Sequence, residues 1–292
     1  MKSLVPYGEL RAFARVATRL LSEHLLREGG ARSVRSRAGA GLEFLEHRHY
    51  QPGDELRHID WRQSARQQQT IVRRYQLESS IDWYLCLDAS SSMSLTRADG
   101  WRLAAQCAAA LAYVLLEMGH RVALLQFAQQ VVAVCPPGRG LKQYLHLNQQ
   151  LQRHWPRARA AGSHLGSCLA RVRAGSAAFV VSDFLTNDNM QRDLAALRSV
   201  CRQVHALQLA DPERGHLHAH GHVTLHDCET GERQDALAES ALDHAAATSL
   251  LRRQNTLRDF GRSCGVRVSS WQGVNDWRGA LLGHLNSALP RA

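Results

Sequence analysis

The chain has 292 residues, 45% of them hydrophobic, enough to bury the core of one large or two ordinary domains and to exclude disorder over most of its length. Its formal charge is +10, and residues 1–78 hold fourteen basic and nine acidic residues, half of the excess in about a quarter of the chain. That balance permits an acidic partner, a nucleic acid or an anionic lipid and selects none of them. The seven cysteines form no CxxC pair and are odd in number, which points to reduced, mostly buried thiols.

Residues Glu9 to Glu28 carry Leu10, Phe13, Ala17, Leu20, Leu21 and Leu25 at a spacing that predicts one apolar stripe on a helix, ended by Gly29-Gly30. From Ala31 to Ser80 the helical period is lost. Charged residues there alternate with Phe44, Tyr50, Trp61, Ile71, Val72 and Tyr75, which predicts short strands and loops leaning on a neighbouring domain.

After Ile81 the pattern becomes alternating strand and helix. Strands are expected at Trp83–Leu87, Arg121–Phe127, Gln130–Val134, Ala177–Ser182, Gln203–Leu209 and Val266–Ser270. Helices are expected at Ala98–Met118, Leu141–Arg153, Leu165–Arg173, Met190–Val200, Leu242–Cys264 and Asp276–Ala288. The fold class is therefore α/β, a doubly wound, mostly parallel sheet, and the two-residue gap before Gln130 requires one antiparallel hairpin. Domains are expected at 1–78, a helix and brace segment, and 79–292, with an insertion at about 211–240. Leu103–Leu116 is too short for the ~20 residues of a bilayer crossing and reads as a buried helix. The N-terminus lacks a secretory pattern, so a cytoplasmic location is expected.

"LCLDASSSM" places Asp88 at the end of the first strand of this series, and "FVVSDF" places Asp183 at the end of the fourth. With the strand order 3-2-1-4-5-6 these strands are neighbours where the order reverses, the usual ligand crevice of such sheets. Mg²⁺ takes about six oxygens at roughly 2.1 Å. Ser90 and Ser92 can turn two hydroxyls inward beside Asp88, and Ser163 in "AGSHLGSCL" can add a third. A site built mainly from neutral hydroxyls leaves Mg²⁺ or Mn²⁺ electrophilic towards an outside carboxylate. It recruits more than it catalyses.

The set resembles the metal-ion-dependent adhesion site of von Willebrand factor A domains, with Asp88, Ser90 and Ser92 matching its Asp-x-Ser-x-Ser motif and Asp183 its later aspartate. Ser163 stands where that family usually has threonine. "GLEFLEHRHYQPGDELRHIDWRQSARQQQTIVRRYQ", with the later "DPERGHL" and "LHDCETGE", is similar to the bacterial family called domain of unknown function fifty-eight (DUF58). That resemblance implies a non-enzymatic adaptor of a MoxR-type AAA+ ATPase acting on a client protein.

Other features carry competing expectations. Asp88 and its serines alone also fit a helix-capping turn. Asp88 could instead serve a metal-dependent enzyme, a hydrolase or phosphoryl-transfer catalyst, although the only further titratable group nearby is His164. In "GDELRHIDWRQSAR", Asp54, Arg57, Asp60, Arg62 and Arg66 suggest an ion-pair lattice, or a docking face anchored by Arg57, Trp61 and Arg66. His216, His218, His220 and His222 recur at period two and could bind a transition metal with His226 or Cys228. The arginines are spread without a nucleic-acid-binding motif, so no specific nucleic acid is expected.

Overall fold

The apolar stripe of the first segment forms helix α1 (Tyr7–Glu28), with Leu10, Phe13, Ala17 and Leu21 buried at spacings of three and four. The computed structural model describes residues 4–28, 43–51, 54, 56–76, 80–94, 100–153, 162–185, 189–211, 221–238, 240–273 and 276–287. The described residues up to His24 and from Ile81 onward form one compact unit, and Leu25–Ser80 form a second. Most of α1 thus packs with the α/β unit, whereas the sequence pattern alone grouped all of 1–78 together.

In the second unit, β1 (Glu43–His49) and β2 (Ile71–Gln76) pair antiparallel, His49 opposite Ile71, with α2 (Trp61–Gln67) between them in sequence. Among its described residues Ile59, Ile71 and Val72 are the buried apolar ones. Asp60 caps α2 by accepting from the backbone N–H of Arg62 at 3.2 Å and of Gln63 at 3.1 Å. The same carboxylate binds Arg73 Nε at 2.8 Å and His47 Nε2 at 3.0 Å, and Asp54 binds Arg48 at 2.6 Å. The acids of the expected lattice thus take partners on β1 and β2 as well as capping their own helix.

The Arg73 guanidinium and the Gln63 amide hold the Asp60 carboxyl well below the usual carboxylate range. A depressed folded-state pKa gives stability that is present above the unfolded value of about 3.9 and is lost as pH falls below it. Asp60→Asn keeps an N-cap acceptor but loses the charge. The expected result is a lower melting temperature at pH 7 and a shallower loss on acidification than in the wild type, measured by calorimetry from pH 7 to pH 2.

The α/β unit continues with β3 (Asp82–Asp88), a short helix α3 (Ser91–Ser94), α4 (Gly100–Glu117), β4 (Arg121–Phe127), β5 (Val131–Gly138) and α5 (Gly140–Arg153). There follow β6 (Ala177–Ser182), α6 (Met190–Val200), β7 (Gln203–Leu209), β8 (Gly221–His226), β9 (Arg233–Ala238), α7 (Ser240–Cys264), β10 (Arg267–Trp271) and α8 (Trp277–Ser287). Six strands form one sheet in the order β10-β7-β6-β3-β4-β5, parallel except for β5. Read from the other edge, this is the expected order, with β3 and β6 adjacent at the reversal. The centre of the sheet is covered on both faces: every residue of β6 and of β7 is buried, the polar Ser182, Gln203, His205 and Gln208 included.

α4 is buried along most of its length, and no helix among the described residues is long and apolar enough to cross a membrane. Against α4, α5 and α8 lies α1: Tyr7 meets Tyr113 and Tyr144 edge-on, Phe13 meets Trp277 with centroids 5.1 Å apart, and Arg278 pairs with Glu9 at 3.0 Å. Leu165–Arg171 is a 3-10 turn instead of the expected α-helix over Leu165–Arg173. Its backbone bonds at both ends run from i to i−3, Ser167 N to His164 O and Val172 N to Leu169 O, each at 3.2 Å, while Asp193 Oδ2 accepts from Gly166 N at 2.7 Å. The 211–240 region contains a separate antiparallel hairpin, β8–β9. All seven cysteines are free thiols, five of them buried.

Candidate functional site

β3 delivers Asp88 to the carboxyl edge of the sheet, where Ala89 N continues the ladder by donating to Phe127 O at 2.6 Å. The chain then turns back on the aspartate: Ser90 N donates to Asp88 Oδ1 at 2.9 Å, the aspartate-centred turn that a short acid readily forms. Ser90 Oγ and Ser92 Oγ lie 3.0 Å apart. The loop before Leu165 is tied down by His164 N donating to Ala128 O at 2.9 Å, and it brings Ser163 Oγ to Asp88 Oδ2 at 2.7 Å. Four of the five predicted ligands, Asp88, Ser90, Ser92 and Ser163, are therefore one hydrogen-bonded cluster. Asp183 follows β6, adjacent to β3, and is close enough for its charge to act on Asp88.

Two members of the cluster escape a reading of the sequence. Ser182 Oγ donates to Asp88 Oδ2 at 2.6 Å and accepts from Phe184 N at 2.9 Å. Glu229, from the turn between β8 and β9, is near enough to the Ser92 hydroxyl and to the Asp183 and Asp88 charges for all three to act on its carboxyl. Its Oε1 is buried with no hydrogen-bond partner.

Burial, then the Asp183 charge, pushes the Asp88 carboxyl up to about 6 against the pull of its serine hydrogen bonds. Burial, with the Asp183 and Asp88 charges behind it, pushes Glu229 up to about 7. Phe184 holds a left-handed φ of +53°, and Gln208 Nε2 secures the preceding turn by donating to Asp183 O at 3.1 Å. Backbone strain of this kind persists only where the surroundings enforce it.

Asp88 and four serine hydroxyls form one cluster, the Asp183 and Glu229 carboxylates are near enough for their charges to act on it, and one Glu229 oxygen lacks a partner. That donor set suits a hard divalent cation, which would neutralise the acids and take up the orphaned oxygen. Among the described residues no three His, Cys, Asp or Glu side chains form a metal-binding group by themselves, so the hydroxyls would have to carry part of the coordination. The recess beside Asp183, lined by Leu185, Gln208, Ala210, Leu250 and Gln254, encloses about 20 Å³. That is room for about one water, not for a small-molecule substrate.

The remaining candidates fall elsewhere. Arg57, Trp61 and Arg66 are exposed, Trp61 at 70%, on the second unit. His216, His218 and His220 lie outside the described residues. His222 and His226 are exposed on β8, with His226 Nε2 accepting from Arg233 Nε at 2.7 Å. His164 lies 3.7 Å from Asp193, the residue that anchors Gly166.

These features define an α/β protein with an acid-and-hydroxyl crevice at the point where the strand order reverses. The chain belongs to the family described as protein of unknown function DUF58, whose model matches residues 46–253. Uncharacterised proteins of Mycobacterium bovis and of Mycobacterium tuberculosis are each 29% identical over 266 residues, 84% of this chain and 83% of theirs. Among solved structures, an aerotolerance-related membrane protein of Bacteroides fragilis is similar at 17% identity and a TM-score of 0.44, over 71% of this chain and 99% of that one. The protein BatB of Bacteroides thetaiotaomicron is similar at 14% identity and a TM-score of 0.42, over 72% and 98%.

Proposed function

We propose that the protein is a non-enzymatic interaction module of the von Willebrand factor A type, acting in the cytoplasm. Asp88, Ser90, Ser92, Ser163 and Asp183 would hold Mg²⁺ or Mn²⁺, and the ion would supply an electrophilic centre for an acidic side chain of a partner. By the family resemblance that partner is a MoxR-type AAA+ ATPase, to which this protein would couple a client. The observation that carries the proposal is the hydrogen-bonded set of Asp88 with Ser90, Ser92 and Ser163 at the reversal point, beside Asp183.

The residues of this chain have distinct parts. Asp88 provides buried charge, the three hydroxyls provide neutral oxygens, and Ser182 fixes the rotamer of Asp88 from the neighbouring strand. Calorimetric titration of Mg²⁺ and Mn²⁺ into metal-stripped protein should show one site, and Asp88→Ala and Ser90→Ala should weaken it at least about tenfold. Capture of the ATPase should follow metal binding. Capture that persists in chelator would overturn the proposal and direct attention to Arg57, Trp61 and Arg66.

The rival, a metal-dependent hydrolase or phosphoryl-transfer enzyme, draws support from one observation. Glu229 has the ionisation range of a general base beside the crevice. Metal-dependent release of phosphate from a generic phosphomonoester, lost in Glu229→Gln, would favour that rival.

A further inference from the structure

The β8–β9 hairpin forms a two-stranded sheet of its own, and most of its residues are exposed. Two strands alone are marginal in water, so the hairpin depends on what its ends and turn touch. The turn itself is well defined. Asp227 Oδ1 accepts from Glu229 N at 2.7 Å and from Thr230 N at 3.2 Å, Gly231 N reaches Asp227 O at 2.9 Å, and Gly231 supplies the φ of +77° that closes it.

That turn carries three acids with different fates. Asp227 and Glu232 are exposed, whereas Glu229 is drawn inward. Its carboxylate is near enough to the Ser92 hydroxyl to be influenced by it, and Oε2 lies 3.8 Å from where a Cβ on Gly162 would stand, beside Ser163. Its Oε1 is buried without a partner and within the field of the Asp88 and Asp183 carboxylates, an arrangement that is unfavourable unless something compensates it.

We infer that Glu229 is an internal stand-in for the partner's acid: the hairpin turn places a carboxylate at the outer side of the Asp88–Ser92–Ser163 cluster and closes the recruiting site until an external acid displaces it. The inference rests on the recruiting-site reading above. A tethered acid competes at high effective concentration, so free carboxylates bind only to the fraction of molecules in which the hairpin is open. If that fraction is about 1–10%, removing Glu229 tightens binding of an external carboxylate by roughly 10- to 100-fold.

The test uses the full chain, Mn²⁺ as the probe ion and sodium acetate as the external carboxylate. Water-proton relaxation reports how many waters reach the bound ion. Glu229→Gln keeps the size of the side chain, and Glu232→Gln makes the same charge change at an exposed position of the same turn. In Glu229→Gln the relaxation enhancement should rise, acetate should quench it at a concentration at least about tenfold lower than in the wild type, and amide exchange at residues 227–232 should quicken even without metal. Glu232→Gln should match the wild type.

Wild-type values in Glu229→Gln would overturn the inference and leave the metal site standing. Loss of Mn²⁺ binding in Glu229→Gln would also overturn it, making Glu229 a permanent ligand. Absence of Mn²⁺ binding in the wild type would overturn the recruiting-site reading itself, and this inference with it.

Discussion

Replacing Asp88 by asparagine will raise the melting temperature of the metal-free protein at neutral pH and remove its response to Mg²⁺. Asp88 is fully buried, and burial and the Asp183 charge lift its carboxyl from 3.8 to about 6. A raised folded-state pKa means that the folded protein holds a proton the unfolded chain has released. The resulting penalty is absent below about pH 4, grows between about pH 4 and 6, and is complete above that range. Two pH units correspond to about 3 kcal/mol, or several degrees in melting temperature for a protein of this size. Asparagine retains an acceptor for Ser90 N, and the Ser163 and Ser182 hydroxyls can rotate to accept from its amide.

Thermal melts in chelator should therefore show Asp88→Asn above the wild type at pH 7.5 and level with it near pH 4. Added Mg²⁺ should then raise the wild type alone, because an ion that binds only the folded state stabilises it by mass action. If Asp88→Asn melts lower than the wild type at both pH values, the carboxylate is retained for its hydrogen bonds, and "DASSSM" is a capping turn.

Much of this arrangement is legible without coordinates. The stretches "WYLCL", "AAFVV" and "QVHALQL" are long enough and apolar enough to be covered on both faces, and they appear as β3, β6 and β7. The short gap after Phe127 forces a hairpin, and the rules of chain connection leave few orders for the remaining strands. Adjacency of β3 and β6 follows, and with it the meeting of Asp88 with the region of Asp183. Ser90 and Ser92 are local to Asp88, so their placement needs only a turn.

What escapes the sequence depends on tertiary placement. Ser182 looks like an ordinary strand-terminal residue until β6 lies beside β3 and its hydroxyl reaches Asp88. The residues of β8 and β9 are mostly polar and exposed, so they give a weak strand pattern, although Asp227, Thr230 and Gly231 do mark a turn. That turn signal could have located the hairpin. It could not have shown that Glu229 turns inward while Asp227 and Glu232 stay exposed. The same limit applies to Asp60: nearby arginines suggested a lattice within one segment, but Arg73, thirteen residues away, supplies the partner through strand pairing.

The N-terminal helix gives the second large effect. Sequence texture groups α1 with the segment that follows it, yet Leu10, Phe13, Ala17 and Leu21 are buried and α1 up to His24 packs with the α/β unit. Phe13 is 5% exposed and meets Trp277 of α8 edge-on, while Tyr7, Tyr113 and Tyr144 form a second aromatic group nearer the start of the helix. Truncating a buried phenylalanine removes its transfer energy and leaves a cavity, together about 3–5 kcal/mol. Phe13→Ala should lower the unfolding free energy by that amount in denaturant titration, with the midpoint moving and the slope unchanged. Removing residues 1–78 should do more, because it uncovers the surface of α4, α5 and α8 that α1 occupies. A truncated chain that is as stable as the whole, or Phe13→Ala with wild-type stability, would show that α1 is dispensable to the α/β unit, and the boundary near residue 78 would then mark the true division of the chain.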